Sequence, residues 1–126
     1  MKTSELVLNF LRQQGFLPEV DPDNNNIEFK YQMSTYVYFE NDDDPEFFQL
    51  LMPNIFDVTE DNRDLVLETI NKVNQTMKVA KACIINDNVW LIFETLLDST
   101  PDVGDIIPRG LRILQSTREE FYDQIS

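Results

Sequence analysis

The chain has 126 residues, 42% of them hydrophobic, with 23 acids against 10 bases and a net charge of −13. That length fits one domain, spanning 1–126, and nine Phe among apolar residues spread along the chain supply a core, which excludes disorder. Phosphate recognition rests on Lys and Arg, so the charge speaks against nucleic acid and anionic membranes, and no run approaches the roughly 20 apolar residues of a membrane span.

The pattern predicts a first helix over residues 4–14, with Thr3 or Ser4 as cap, Gly15 as stop, and Leu6, Val7, Phe10 and Leu11 as its apolar stripe. Phe16 to Val20 reads as a short edge strand interrupted by Pro18. Asp21 to Asn26 is a turn by composition. Ile27, Phe29, Tyr31 and Met33 then alternate with Glu28, Lys30 and Gln32, a half-buried strand. Thr35 to Glu40 is another, with Val37 and Phe39 on one face and Tyr36 and Tyr38 on the other. Asn41 to Pro45 is an acidic turn. Phe47 to Phe56 is apolar nearly throughout and reads as a central strand, bent at Pro53.

A second helix starts near Glu60 or Asp61 and turns Val66, Ile70, Val73 and Met77 inward. Val79 to Ile85 and Val89 to Leu96 are two apolar strands joined by a tight Asn86-Asp87 turn. Trp90, Leu91, Ile92 and Phe93 in succession imply burial on both faces. A last helix covers 105–125, with Pro108 in its first turn and Ile107, Leu111, Leu114, Phe121 and Ile125 as its stripe. The expected class is α+β, a mainly antiparallel sheet in helix–strands–helix–strands–helix order. Helices cover one sheet face, and Tyr31, Tyr36 and Tyr38 are expected on the uncovered one as partner-binding residues.

No histidine is present, which removes imidazole bases, imidazole metal sites and His-based triads. Three Gly form no phosphate-cradling loop. The one cysteine, Cys83, precludes an intrachain disulfide and reads as a small core residue. Glu94, alone among apolar neighbours, is expected either to face solvent or to meet a strand lysine such as Lys81, a structural role rather than a catalytic one. Asp21 to Asn25 imitates the start of a calcium loop but lacks its glycine and closing acid. Asp42, Asp43 and Asp44 read as a solvated turn. No catalytic residue, metal ligand or cofactor is therefore expected. The N-terminal stretch lacks a signal peptide's apolar region, which makes the cytoplasm the expected location.

Several stretches carry a family resemblance: Ile27-Glu28-Phe29-Lys30-Tyr31, Tyr36-Val37-Tyr38-Phe39-Glu40 and Phe47 through Phe56. Ile70-Asn71-Lys72-Val73-Asn74, and Val79-Ala80-Lys81 running into the Trp90 strand, complete it. In these the sequence resembles the YbjN-like group, small bacterial proteins with a type III secretion chaperone-like fold. The resemblance implies a sandwich in the element order above, often dimeric, with relatives that hold partly extended protein segments and others of unknown role. It brings no catalytic residues; Asn71 and Asn74 match its Asn-x-x-Asn stretch, where capping or bracing the neighbouring strand is the expectation. The expected function is a non-enzymatic protein-binding or chaperone-like module for a protein or peptide segment, with a homodimer open. The alternative is a small-molecule or divalent-cation sensor using the acidic turns.

Overall fold

The computed structural model describes residues 2–126. Helix α1 (Thr3–Gln13) leads into β1 (Glu19–Val20), β2 (Ile27–Tyr31), β3 (Ser34–Tyr38) and β4 (Phe47–Asp57). Then follow α2 (Arg63–Thr76), β5 (Ala80–Ile85), β6 (Asn88–Leu96) and α3 (Val103–Ile125). The strands form one six-stranded sheet in the order β1-β2-β3-β4-β6-β5, antiparallel at every pairing. The class and element order are those read from the pattern.

Each helix turns one apolar stripe toward the same sheet face. Val7 and Leu11 of α1, Val66, Ile70 and Val73 of α2, and Ile107, Leu111, Leu114 and Phe121 of α3 are buried in one cluster. That cluster contains Ile27 and Phe29 of β2, Tyr36 and Tyr38 of β3, Phe48, Leu50 and Met52 of β4, and Val89, Leu91 and Phe93 of β6. The approach is close at Gly110 on α3, where an added Cβ would lie 3.0 Å from a Phe93 ring carbon and 3.2 Å from a Leu50 methyl. The glycine lets the helix sit down on the sheet.

Local differences from the pattern have local causes. Neither Thr3 nor Ser4 caps α1; Lys2 holds the cap position, the Thr3 hydroxyl donates to the Pro45 carbonyl, and Ser4 Oγ donates to Asp42 at 2.7 Å. Those bonds tie the helix start to the acidic turn. Gly15 does end α1, at φ 86°. Only Glu19 and Val20 pair as an edge strand, because Phe16 turns inward onto the Phe29 and Tyr31 rings. Strand β2 stops at Tyr31, since Gln32 and Met33 take positive φ as the two central residues of a hairpin. The bend at Pro53 appears as a register irregularity between Met52 and Phe56, with Asn54 at φ 55°.

Asn74 braces β5 as expected: its side-chain oxygen accepts from the Ala82 N–H at 2.7 Å, and its amide nitrogen donates to the Ala82 carbonyl at 3.1 Å. Asn71 is exposed. Gly110→Val should cost about 1–3 kcal/mol, since the contact has no slack for two methyl groups. Urea denaturation checks this, and an unchanged midpoint would show that α3 does not rest on Phe93 and Leu50.

Candidate functional site: the helix-free sheet face

Side chains on a strand alternate between faces, and pairing carries the alternation from strand to strand. The register Ile27↔Tyr38↔Leu50↔Phe93↔Ala80 crosses five strands on the helix-covered face. One residue along, Glu28↔Val37↔Leu51↔Ile92↔Lys81 crosses the same strands on the opposite face. Gln49↔Glu94, Phe47↔Leu96 and Cys83↔Trp90 are on that second face too.

The second face has an apolar middle. Leu51 and Ile92 are only 2% and 8% exposed, yet they stand outside the helix-side cluster. Val37 and Trp90 flank them half-buried, while Phe47 (half-buried) and Leu96 (75% exposed) lie beyond the Gln49–Glu94 pair and Phe39 is 37% exposed. The Trp90 indole N–H is buried without an acceptor. Toward β5, Lys81 Nζ meets Glu94 Oε1 at 2.7 Å, and Gln49 Nε2 donates to Glu94 Oε2 at 2.9 Å. Both carboxylate oxygens of Glu94 are thus engaged, in the lysine pairing that the sequence suggested.

Tyr36 and Tyr38 do not lie on this face, contrary to the expectation. Both are fully buried beneath the helices, Tyr36 stacked on Phe29 and Tyr38 tilted against Phe48. The reason is register: the two-residue hairpin sets Phe29 opposite Tyr36 and Ile27 opposite Tyr38, so the tyrosines share the face of the β2 apolar residues. In this conformation neither can touch a partner. Tyr31 lies on the same covered side, half-buried at its margin against Phe16 and Tyr36. The expected exposure therefore belongs to the face of Val37 and Phe39.

Cys83 departs from its reading as a core residue. It sits half-buried on the helix-free face opposite Trp90. Burial raises its thiol pKa, with the Glu94 charge adding and Lys81 opposing. In the acidic turn, Asp42 accepts from both Ser4 N–H and Ser4 Oγ–H, and Glu40 accepts from the Asp42 N–H. Asp21 and Asn24 accept from the backbone of their own turn. Among the described residues, no three Asp, Glu, Cys or His side chains gather as a metal ion would require. Nor is any described helix long and apolar enough to cross a membrane.

No family model and no curated protein sequence matches the chain. Solved structures do. YbjN from E. coli, a candidate transcription regulator, superposes with a TM-score of 0.68 at 8% identity, over 97% of this chain and 87% of its own. The fold is YbjN-like. An uncharacterized protein from Methanothermobacter thermautotrophicus superposes at 0.64 with 13% identity, over 97% of this chain and 95% of its own. At these identities the YbjN-like likeness is one of fold.

The buried tyrosines carry a pH prediction. Burial pushes the Tyr36 hydroxyl from 10.0 up to about 12, although the nearby Gln115 amide pulls part of that back. Tyr38 rises further, through burial and then the Asp42 and Glu40 charges. Neither hydroxyl has a hydrogen-bond partner. An unfolded chain loses these protons near pH 10 and the folded one does not, so this contribution is complete below pH 10 and is lost as pH rises through the folded values. The melting temperature should therefore fall in alkali above that point. Tyr36→Phe/Tyr38→Phe should flatten the fall and leave stability at pH 7 equal or higher, because two orphaned buried hydroxyls disappear. A double variant with the wild-type alkaline slope would contradict the burial of these rings.

Proposed function

We propose that this protein is a non-enzymatic protein-binding module, and that it binds through the helix-free sheet face. The observation that carries the reading is the row Val37–Leu51–Ile92 with Trp90, Phe47 and Leu96 around it. Leu51 and Ile92 are buried at its centre, Val37, Phe47 and Trp90 are half-buried, and Leu96 is exposed, with the Gln49–Glu94 pair lying between the Leu51–Ile92 and Phe47–Leu96 pairs. Such patches on a folded chain mark contact surfaces, and aromatic residues dominate the energetics of such contacts. Gln49 of β4, Glu94 of β6 and Lys81 of β5 cross the face as one bonded polar row, which supplies hydrogen-bonding groups between its apolar pairs.

The reading is of a polypeptide partner with apolar side chains to bury, held by a rigid platform in the manner of a chaperone or a regulatory adaptor. The non-enzymatic part is supported by the engaged carboxylate of Glu94, the raised Cys83 thiol and the absence of histidine. A cytoplasmic setting suits the single half-buried thiol.

Phe39→Lys/Leu96→Lys tests it, since both side chains are exposed and the fold should survive. Cross-linking in native cell extract should give protein adducts with the wild type and few or none with the variant, at unchanged melting temperature. Adducts indifferent to the two lysines would place the contact surface elsewhere.

A further inference from the structure

We infer that the cleft between the end of α2 and the middle of α3 binds a small phosphorylated ligand. Lys78, Arg109 and Arg112 hold its phosphate, and Met77 and Ile113 hold its apolar part. The cleft belongs to the helix layer, so the inference is independent of the reading of the helix-free face.

The cleft has a volume of about 540 Å³, and Met77, Lys78, Arg109, Arg112, Ile113 and Ser116 line it. Small-molecule sites commonly have this size. The four α3 residues are spaced by three and four positions, which puts them on one side of the helix. Met77 and Lys78 come across from the C-terminal end of α2, where Met77 holds the cap position. Val79 then turns the chain into β5 with φ 75° and is 61% exposed. A β-branched residue takes that left-handed conformation only under strain, and such strain gathers at ligand sites. Here it sits one residue from Lys78.

Charge selects the ligand. Every charged residue that lines the cleft is a base, in a chain where acids outnumber bases 23 to 10. The clefts at the β1 edge have the opposite character: Glu19, Glu28 and Lys30 line one, and Glu19, Asp21 and Glu28 the other. Among the described residues Lys78 and Arg112 form no ion pair, and Arg109 meets Asp105 at 3.5 Å on the exposed surface. The next acid along that side of α3, Glu120, accepts from Gln124. Neighbouring cations that their own carboxylates leave unpaired repel one another, and a bound anion reverses that repulsion.

The net charge of −13 works against extended polyanions, not against small ones. Exposed charges are screened beyond roughly 8 Å at physiological ionic strength. A nucleic acid or an anionic membrane meets the whole acidic surface, whereas one phosphate in the cleft meets chiefly the three cations. Arginine forks bond phosphate oxygens in pairs, lysine adds a point charge, and the Ser116 hydroxyl is a further donor. A phosphate dianion matches this set better than a carboxylate. The half-buried Met77 and Ile113 form the apolar wall beside it.

A helix C-terminus also attracts cations on its own account, and α2 has no base in its last turn. The test separates the two roles. Calorimetric titration of the full chain, in chloride buffer at constant ionic strength, uses inorganic phosphate, phenyl phosphate and benzoate as probes. Phenyl phosphate is expected to bind several-fold more tightly than inorganic phosphate, through Met77 and Ile113. It should bind at least tenfold more tightly than benzoate, which carries the same ring but a single charge. Lys78→Gln/Arg112→Gln should weaken phenyl phosphate at least tenfold. Both side chains are exposed, so the variant keeps the fold. Without anion its melting temperature should equal or exceed that of the wild type, because a repulsion is relieved.

No binding of phenyl phosphate at millimolar concentration overturns the inference. So does equal binding by the variant, or benzoate binding as tightly as phenyl phosphate. A variant that melts lower without anion would assign the cations to the α2 end and equally contradict it.

Discussion

Strand register is the constraint on which the rest of this structure depends. Two adjacent rows cross the sheet, Ile27–Tyr38–Leu50–Phe93–Ala80 and Glu28–Val37–Leu51–Ile92–Lys81. A slip of one residue in any strand would move its members from one row to the other. For β2 that would push Glu28 and Lys30 under the helices, at the cost of buried unpaired charge. The two charged residues thus hold the register of their strand, and the Gln32-Met33 hairpin passes it to β3. The tyrosines follow into the core as a consequence.

Once register is set, the helices divide the faces unequally. All three bring their apolar stripes to the first row, and Gly110 allows α3 to approach within contact of Phe93 and Leu50. Nothing comparable reaches the second row, yet its centre is as apolar as a core. Leu51 and Ile92 pair directly across β4 and β6 and are both buried. Selection for solubility alone would place polar residues there, as it does at Glu28 and Lys30. Keeping Val37, Leu51, Ile92 and Trp90 on an uncovered face is the physical ground for reading it as an interface. The charge distribution agrees, with the negative charge concentrated in turns and helix surfaces away from this patch.

Much of this was legible in the sequence, and what was not had definite causes. Helical period placed the stripes of α2 and α3 down to Val66, Ile70, Val73, Ile107, Leu111 and Leu114, all buried. Asn86-Asp87 announced its hairpin by residue type, and both take positive φ. Gln32-Met33 makes an equivalent turn without such residues, so β2 read as too long and the facing of Tyr36 and Tyr38 was left unanchored. A signal did exist. The alternation of Glu28 and Lys30 with Phe29 and Tyr31 names the solvent side of β2, and a two-residue turn carries that side to Val37. Trp90 and Ile92 were harder, because apolar residues on both faces of β6 look the same whether a helix or a partner covers them. Cys83 misled for the same reason.

The account stands or falls on which aromatic side chains meet water in the isolated chain. Hydroxyl-radical footprinting with mass spectrometry on the purified chain reads this residue by residue. The account predicts strong oxidation at Leu96 and Phe39, intermediate oxidation at Trp90 and Phe47, and protection at Tyr36, Tyr38 and Phe48. Oxidation of Tyr36 and Tyr38 with protection of Trp90 and Leu96 would mean that the helices cover the other face, and would contradict it.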